Sequence, residues 1–425
     1  MNTSTQELLQ NALDLAVADG TVAGVNLLVS HQGDERWYAQ AGMRSLERRE
    51  PMSRNVIFRL FSQTKPITGT ALMMLVERGL VDLAQPVSDF LPGFKNPRVS
   101  TEYLQPSQIN GPIEMTPYAG TDGSFATPIP TVAAEREVTI KDLLTMTSGL
   151  PYPDTSFDSG RHAAAVFGEI DRRLHTDHAM TTLEVANRLG ACPLRFQPGS
   201  RWMYGTSADI IGAVVEVASG RRFGDFLRTE IFEPLSMKDT AFHVPPEKQA
   251  RLAAVYDNPD NPVDPKNAGR PLTEVETDNL GVQYVAGEDP AYQAGGAGLK
   301  STIDDYMKFA TMLLNGGTLH GNRIIEPATI AFMTTGALTS AQRRDFEGLL
   351  HGYDYNTFMR IASAPGHAES VCNAGEYGWD GWLGTYFCND PATRTTFLLM
   401  YQLTNAGTTT FTRKVKNIVF THLGD

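Results

Sequence analysis

A serine that can attack, a lysine that can take its proton and a tyrosine that can pass one on would make an acyl-transfer site, and this 425-residue chain holds all three in suggestive settings. Ser62 and Lys65 stand three apart in Ser62-Gln63-Thr64-Lys65, directly after the apolar run Val56 to Phe61. At a helix start, residues three apart share one face, so the amine can reach the hydroxyl. A half-buried lysine near other positive charge has a lowered pKa and can accept a proton. The free N–H groups of a first helical turn add a positive field for a developing oxyanion. Taken alone, the tetrad reads more simply as a serine cap followed by a surface lysine.

Two further segments change that balance. Pro198-Gly199-Ser200-Arg201-Trp202-Met203-Tyr204-Gly205-Thr206 leads into an apolar helical pattern, with Tyr204 just ahead of the helix. A phenol ionises near pH 10, and each pKa unit is worth about 1.4 kcal/mol, so a tyrosine base near neutrality needs several kcal/mol from nearby cations. Lys65 is the expected supplier. The plainer reading, a core tyrosine near a helix start, is weakened by the Pro-Gly-x-x-Trp lead-in. Trp379-Asp380-Gly381-Trp382 is the third segment, where glycine would let the backbone approach a substrate closely. By itself it reads as an aromatic-rich edge strand.

Together the segments resemble the superfamily of serine β-lactamases, penicillin-binding proteins and family VIII carboxylesterases. The run from Phe61 to Pro92 is similar to that superfamily's active-site helix and its exit, through Gly79, Leu80, Asp82, Leu83, Pro86, Leu91 and Pro92. Tyr204-Gly205-Thr206 resembles its Tyr-x-Asn or Tyr-x-Ser element, with threonine where asparagine often stands. Trp379-Asp380-Gly381 resembles the Trp-x-Gly of the esterase branch, followed by Gly384, Thr385, Phe387, Asp390 and Pro391, rather than the Lys-Thr-Gly of lactamases. Leu143 to Leu150 resembles a Leu-Leu-x-His-Thr-Ser-Gly-Leu segment with Met146 in place of histidine, and Gly295 to Thr302 resembles another signature of the group.

The resemblance implies Ser62 as nucleophile, Lys65 and Tyr204 as its acid–base partners, and an oxyanion hole from the backbone N–H groups of Ser62 and Trp382. Trp379, Gly381 and Thr206 would line the substrate site. It implies no cofactor and no metal. The expected fold is α+β and β-lactamase-like, with an antiparallel sheet flanked by helices and an inserted, mostly helical domain. Thr206 and Trp-x-Gly tilt the expected activity towards small-molecule carboxylic esters. A β-lactamase, a D-amino-acid amidase or peptidase, and an acyltransferase of the same fold stand behind it. A catalytically silent ligand-binding protein is the alternative of another class.

The elements that must position these residues are legible in outline. An amphipathic helix is expected near the N-terminus, from Leu8, Leu9, Leu13, Ala16 and Val17, followed by a hairpin turning at Gln32-Gly33-Asp34. Helical patterns follow from Lys65 to Arg78, at 139–147, 181–190, 207–219 and 223–232, and after Ser301. Strand-like runs lie at 355–362, 382–388 and 395–403, and a last helix follows them. Residues 92–135 and 245–280 read as loop excursions rich in Pro, Gly, Ser and Thr. The expected division is an α/β domain from residues 1–65 and 290–425 around a helical domain of residues 66–289.

Composition narrows the partners. Thirty-six Lys and Arg against 48 Asp and Glu leave a formal charge of −12, which disfavours nucleic acid and anionic membranes. The N-terminal residues lack a signal-peptide pattern, and no apolar run is long enough for a membrane span, so a cytoplasmic protein is expected. Cys192, Cys372 and Cys388 cannot all pair and are expected as reduced thiols. No G-x-S-x-G elbow or HExxH occurs. His175, Asp177 and His178 read as surface residues rather than metal ligands. His351 and His367 lie on the approach to the third segment, where they could touch substrate. Oligomeric state is not encoded in any pattern.

Overall fold

The computed structural model describes residues 4–117, 128–257, 271–275, 278–285 and 287–424. Helix α1 (Thr5–Ala18) starts at a capping box, in which Ser4 and Glu7 satisfy each other's backbone N–H groups, and it buries Leu9, Leu13 and Ala16. The hairpin that follows pairs strand β1 (Gly24–His31) with β2 (Asp34–Ser45). Its turn takes left-handed φ angles of 56° at Gln32 and 99° at Gly33, the twist that suits a two-residue hairpin.

Eight strands form one antiparallel sheet. From the C-terminal part come β4 (Tyr353–Asn356), β5 (Met359–Ala362), β6 (Tyr377–Asp380), β7 (Tyr386–Asp390) and β8 (Thr395–Met400). With β3 (Glu50–Pro51), the spatial order is β4-β5-β6-β7-β8-β1-β2-β3, so the two ends of the chain meet at the β8–β1 pair. Strand residues point alternately to two faces. Leu27 and Val29 pack with α1 and the terminal helix α5 (Thr410–Thr421), whereas Leu28 joins the larger core on the other side.

That larger core gathers α2 (Lys65–Glu77), α3 (Ser207–Ser219) and α4 (Ile303–Leu314), helices with few solvent-facing positions. Arg78 and Gly79 end α2, Gly79 at a φ of 68° that glycine takes without strain. α3 lies directly against α2.

Several expected elements come out differently. The excursion at 92–135 carries a three-stranded sheet of Arg98–Ser100, Glu114–Thr116 and Ile129–Ala133, strands too short to leave a period in the sequence. Part of it, and part of 245–280, lies outside the described residues. The 16-residue helix Asp158–Arg173 was not expected, because its polar first turn and small residues hide the buried Val166, Phe167 and Ile170. The run 382–388 is not one strand: Gly381–Thr385 turns between β6 and β7. The run 355–362 is likewise broken at Thr357 and Phe358, both at left-handed φ.

Candidate active site

Ser62 sits in a single 3₁₀ turn, Phe61–Thr64, that runs straight into α2. The chain reaches it from the short strand Ile57–Arg59, which pairs with Lys300–Thr302. Phe61 has a φ of 45°, a conformation a side chain of this size rarely takes. Its ring is held between Tyr284 and Trp382, at centroid distances of 6.1 and 5.3 Å. Surrounding packing of this kind is what lets such strain persist next to Ser62.

Lys65 is wholly buried. Its Nζ donates to Ser62 Oγ at 3.0 Å, to the Tyr152 hydroxyl at 2.9 Å and to the Gly296 carbonyl at 2.7 Å. None of these acceptors carries a formal charge. Burial pulls the amine's pKa down to about 7, while Asp209 and Asp380 pull weakly the other way. Of the two expected causes, burial is the one at work, and no neighbouring cation contributes. Asp209, also buried, accepts from the Tyr292 hydroxyl at 2.9 Å and from the N–H of Gly296 at 3.0 Å. It thereby anchors the residue whose carbonyl holds Lys65.

The Tyr204 hydroxyl faces Ser62 and accepts from Trp379 Nε1 at 3.0 Å. Its ring lies 4.8 Å from Lys65 Nζ. The expectation that Lys65 would draw the phenol's pKa down is corrected: burial pushes it up, and its contacts with Ser62 and Trp379 only partly offset that. At neutral pH the residue is a phenol, able to donate and accept a proton in one relay.

Two loops hold these groups together. The N–H of Met203 donates to the Met146 carbonyl at 3.0 Å, and the Ser148 and Ser207 hydroxyls are 2.9 Å apart. A side chain at Gly205 would overlap the Leu150 carbonyl, so glycine alone lets Tyr204 lie beside Leu150 and Tyr152. Thr206 is fully buried and faces the Pro151 carbonyl at 3.4 Å, turned to this loop and making no hydrogen bond with Ser62, Lys65 or Tyr204. Tyr152 was not singled out in the sequence, since the recognisable segment stops at Leu150.

The third segment arrives by the β6–β7 turn. Trp379 is buried on β6 opposite Phe387. A side chain at Gly381 would overlap the Leu60 carbonyl, to which the Thr385 hydroxyl donates at 3.0 Å. The turn is thus moored two residues before Ser62. Trp382 stacks near Phe61 and donates its indole N–H to Asn405 at 2.9 Å. Among the described residues, the backbone N–H groups of Ser62 and Trp382 have no acceptor within the protein. Beside Tyr204 opens a cavity of about 690 Å³ whose wall also includes Tyr103, Arg195, Trp202 and Met203.

The other sequence candidates lie elsewhere. His351 and His367 are exposed and contact none of these groups. His175 pairs with Asp278 at 2.6 Å. All three cysteines are free thiols, Cys192 and Cys388 buried. Among the described residues, no cluster of metal-ligating side chains occurs and no helix is long and apolar enough to cross a membrane.

A serine, a buried lysine and a tyrosine at the junction of an antiparallel sheet and a helical core agree with the comparison to known families: the Beta-lactamase family model matches residues 9–417. The chain belongs to the Beta-lactamase family, and with it to the hydrolases of that fold. It is 28% identical over 402 residues to esterase EstB of Burkholderia gladioli, covering 92% of this chain and 89% of EstB. Among solved structures, EstCE1, described as a hydrolase with promiscuous acyltransferase activity, superposes with a TM-score of 0.76 at 21% identity over 98% of both chains. Simvastatin synthase LovD from Aspergillus terreus superposes with a TM-score of 0.75 at 22% identity, over 99% of this chain and 98% of LovD. At those identities the two structures speak for the fold.

Proposed function

We propose that this chain is a serine carboxylesterase that cleaves small-molecule esters through an acyl-enzyme on Ser62. The observation that carries this reading is the Lys65 amine, 3.0 Å from Ser62 Oγ, buried among neutral acceptors and with a pKa near 7. An amine half-deprotonated at neutral pH is a competent general base. Lys65 takes the Ser62 proton as Oγ attacks the ester carbonyl. The free N–H groups of Ser62 and Trp382 receive the developing oxyanion. On collapse, the C–O bond to the alcohol breaks and the alkoxide takes a proton through Tyr204, which Lys65 replenishes. Water then attacks the acyl-Ser62 ester, gives its proton to the same pair, and the carboxylic acid leaves.

Esters are favoured over lactams because Trp379-Asp380-Gly381 stands where lactamases carry Lys-Thr-Gly, and because EstB is an esterase. Transfer of the acyl group to another alcohol is the second reading, supported by the roomy cavity beside Tyr204 and by what EstCE1 is described as doing.

Intact-protein mass spectrometry after brief exposure to an activated p-nitrophenyl ester or a phosphonate tests the proposal. One adduct per chain is expected on the wild type and none on Ser62→Ala. An adduct that survives in Ser62→Ala would remove Ser62 as nucleophile. Adding a small alcohol to the turnover assay separates hydrolysis from transfer by the product formed.

A further inference from the structure

The cavity beside Tyr204 holds a cation, Arg195, that no carboxylate among the described residues pairs with. The Arg195 guanidinium lies 3.7 Å from the centre of the Phe157 ring and 4.2 Å from that of Tyr103, themselves packed edge to face. Stacking on aromatic faces fixes the plane of a guanidinium while leaving its N–H groups free at the edge. The Arg195 backbone N–H donates to the Gly149 carbonyl at 2.9 Å, so the residue is tied to the same loop that carries Tyr152.

The charges around it are otherwise engaged. Asp345 in the cavity wall accepts from Arg201 Nε at 3.0 Å and from the Trp202 N–H at 3.2 Å. Asp154, which feels the charge of Arg195, accepts from the N–H of Ser156 at 2.8 Å. Among the described residues, no carboxylate lies within ion-pair distance of Arg195. Arg195 and Arg201 against Asp345 leave this wall positive, on a chain whose formal charge is −12. A positive, aromatic-walled cavity on an acidic protein concentrates anionic ligands there.

Resting on the esterase reading above, we propose that this cavity takes the alcohol half of the substrate and that Arg195 selects esters whose alcohol half bears a carboxylate. Tyr204 shares the cavity wall, and in the esterase reading it returns the proton to the leaving alkoxide, so a leaving group on the Tyr204 side of Ser62 extends towards this cavity. A planar guanidinium matches a carboxylate with two parallel N–H donors. Tyr103, Leu104, Trp202 and Met203 give the wall apolar surface that suits a leaving group with an apolar body.

The test compares 4-carboxyphenyl acetate with its neutral carboxamide counterpart, and mono-p-nitrophenyl glutarate with p-nitrophenyl valerate. The wild type should prefer the 4-carboxyphenyl ester over its carboxamide by about tenfold or more in kcat/KM, through KM, and this ratio should fall as salt is raised. Arg195→Gln should bring the ratio close to one, and Arg195→Lys should keep part of it. The salt dependence reads the wild type alone, so the proposal stays testable if a variant does not fold. A ratio near one in the wild type, a ratio unmoved by Arg195→Gln, or a charge preference seen only for the glutarate pair would overturn it. Turnover of the carboxamide ester without charge preference defeats this inference alone. No turnover of any of the four esters defeats the esterase reading beneath it.

Discussion

Lys65 and Lys416 are both buried lysines, and they differ in what their ammonium groups face. Lys416, on α5, lies 2.8 Å from the Glu376 carboxylate, with both side chains 1% exposed. It also donates to the Ser370 hydroxyl at 3.1 Å. Lys65 faces a serine, a tyrosine and a carbonyl. The first arrangement answers the amine with a carboxylate, and the pair ties the terminal helix to the start of β6. The second leaves the amine poised to lose its proton at neutral pH. Equal burial therefore goes with an ion pair in one place and a lowered amine pKa in the other, and the counter-charge is what separates them.

The comparison is broken most directly by Lys65→Met. The expected loss in kcat is about 10²–10⁴-fold, read from ester turnover, because the proposed general base is removed. Its stability should change in a specific way. The unfolded chain holds the lysine proton up to about pH 10.4, whereas the folded protein releases it near pH 7. Between those values the unfolded state binds more protons, so this group makes wild-type stability rise with pH. Thermal unfolding of Lys65→Met across that window should show a shallower rise. An equal slope would mean Lys65 stays charged when buried.

Lys416→Met should do the opposite, leaving ester chemistry largely intact while destabilising by about 3–5 kcal/mol, since Glu376 is left buried without a partner. Burial already raises the Glu376 pKa against the pull of Lys416. Without that pull the folded carboxyl holds its proton further above the unfolded value of about 4.3, so the loss should deepen as pH rises through that range. Denaturant melts at several pH values check this, and Lys416→Met combined with Glu376→Leu should recover part of the loss.

Two smaller effects sharpen the picture. In the wild type, kcat/KM for a neutral ester should rise with pH through an apparent pKa near 7, as Lys65 becomes neutral. Tyr152→Phe removes one acceptor that favours the charged amine, so the same rise should move to lower pH by a fraction of a unit. A shift to higher pH would mean the Tyr152 hydroxyl donates to Lys65 rather than accepting from it.

Much of the frame was legible because it is written in local pattern. The spacing of Ser62 and Lys65, the helix from Lys65 with its glycine stop, and the Gln32-Gly33 hairpin all depend on residues within one or two turns of each other. The helix Asp158–Arg173 escaped because a polar start masks its buried stripe, and the Gly381–Thr385 turn escaped because aromatic residues on either side read as one continuous strand. Thr206 carries the family position, yet its hydroxyl is turned to Pro151, a direction no spacing rule contains.

By itself, then, the sequence determined which residue types could make a nucleophile and its proton partners, and which short elements would carry them. Only the tertiary structure decided their chemistry. Lys65 draws Tyr152 from 87 residues along the chain and the Gly296 carbonyl from 231 residues along it, and no local pattern brings such groups together. Its basicity comes from water excluded by the packing of α2 against α3, and the pKa of Tyr204 moves opposite to the expected direction for the same reason. Exclusion of solvent is a property of the assembled core, and the order of residues records it only indirectly.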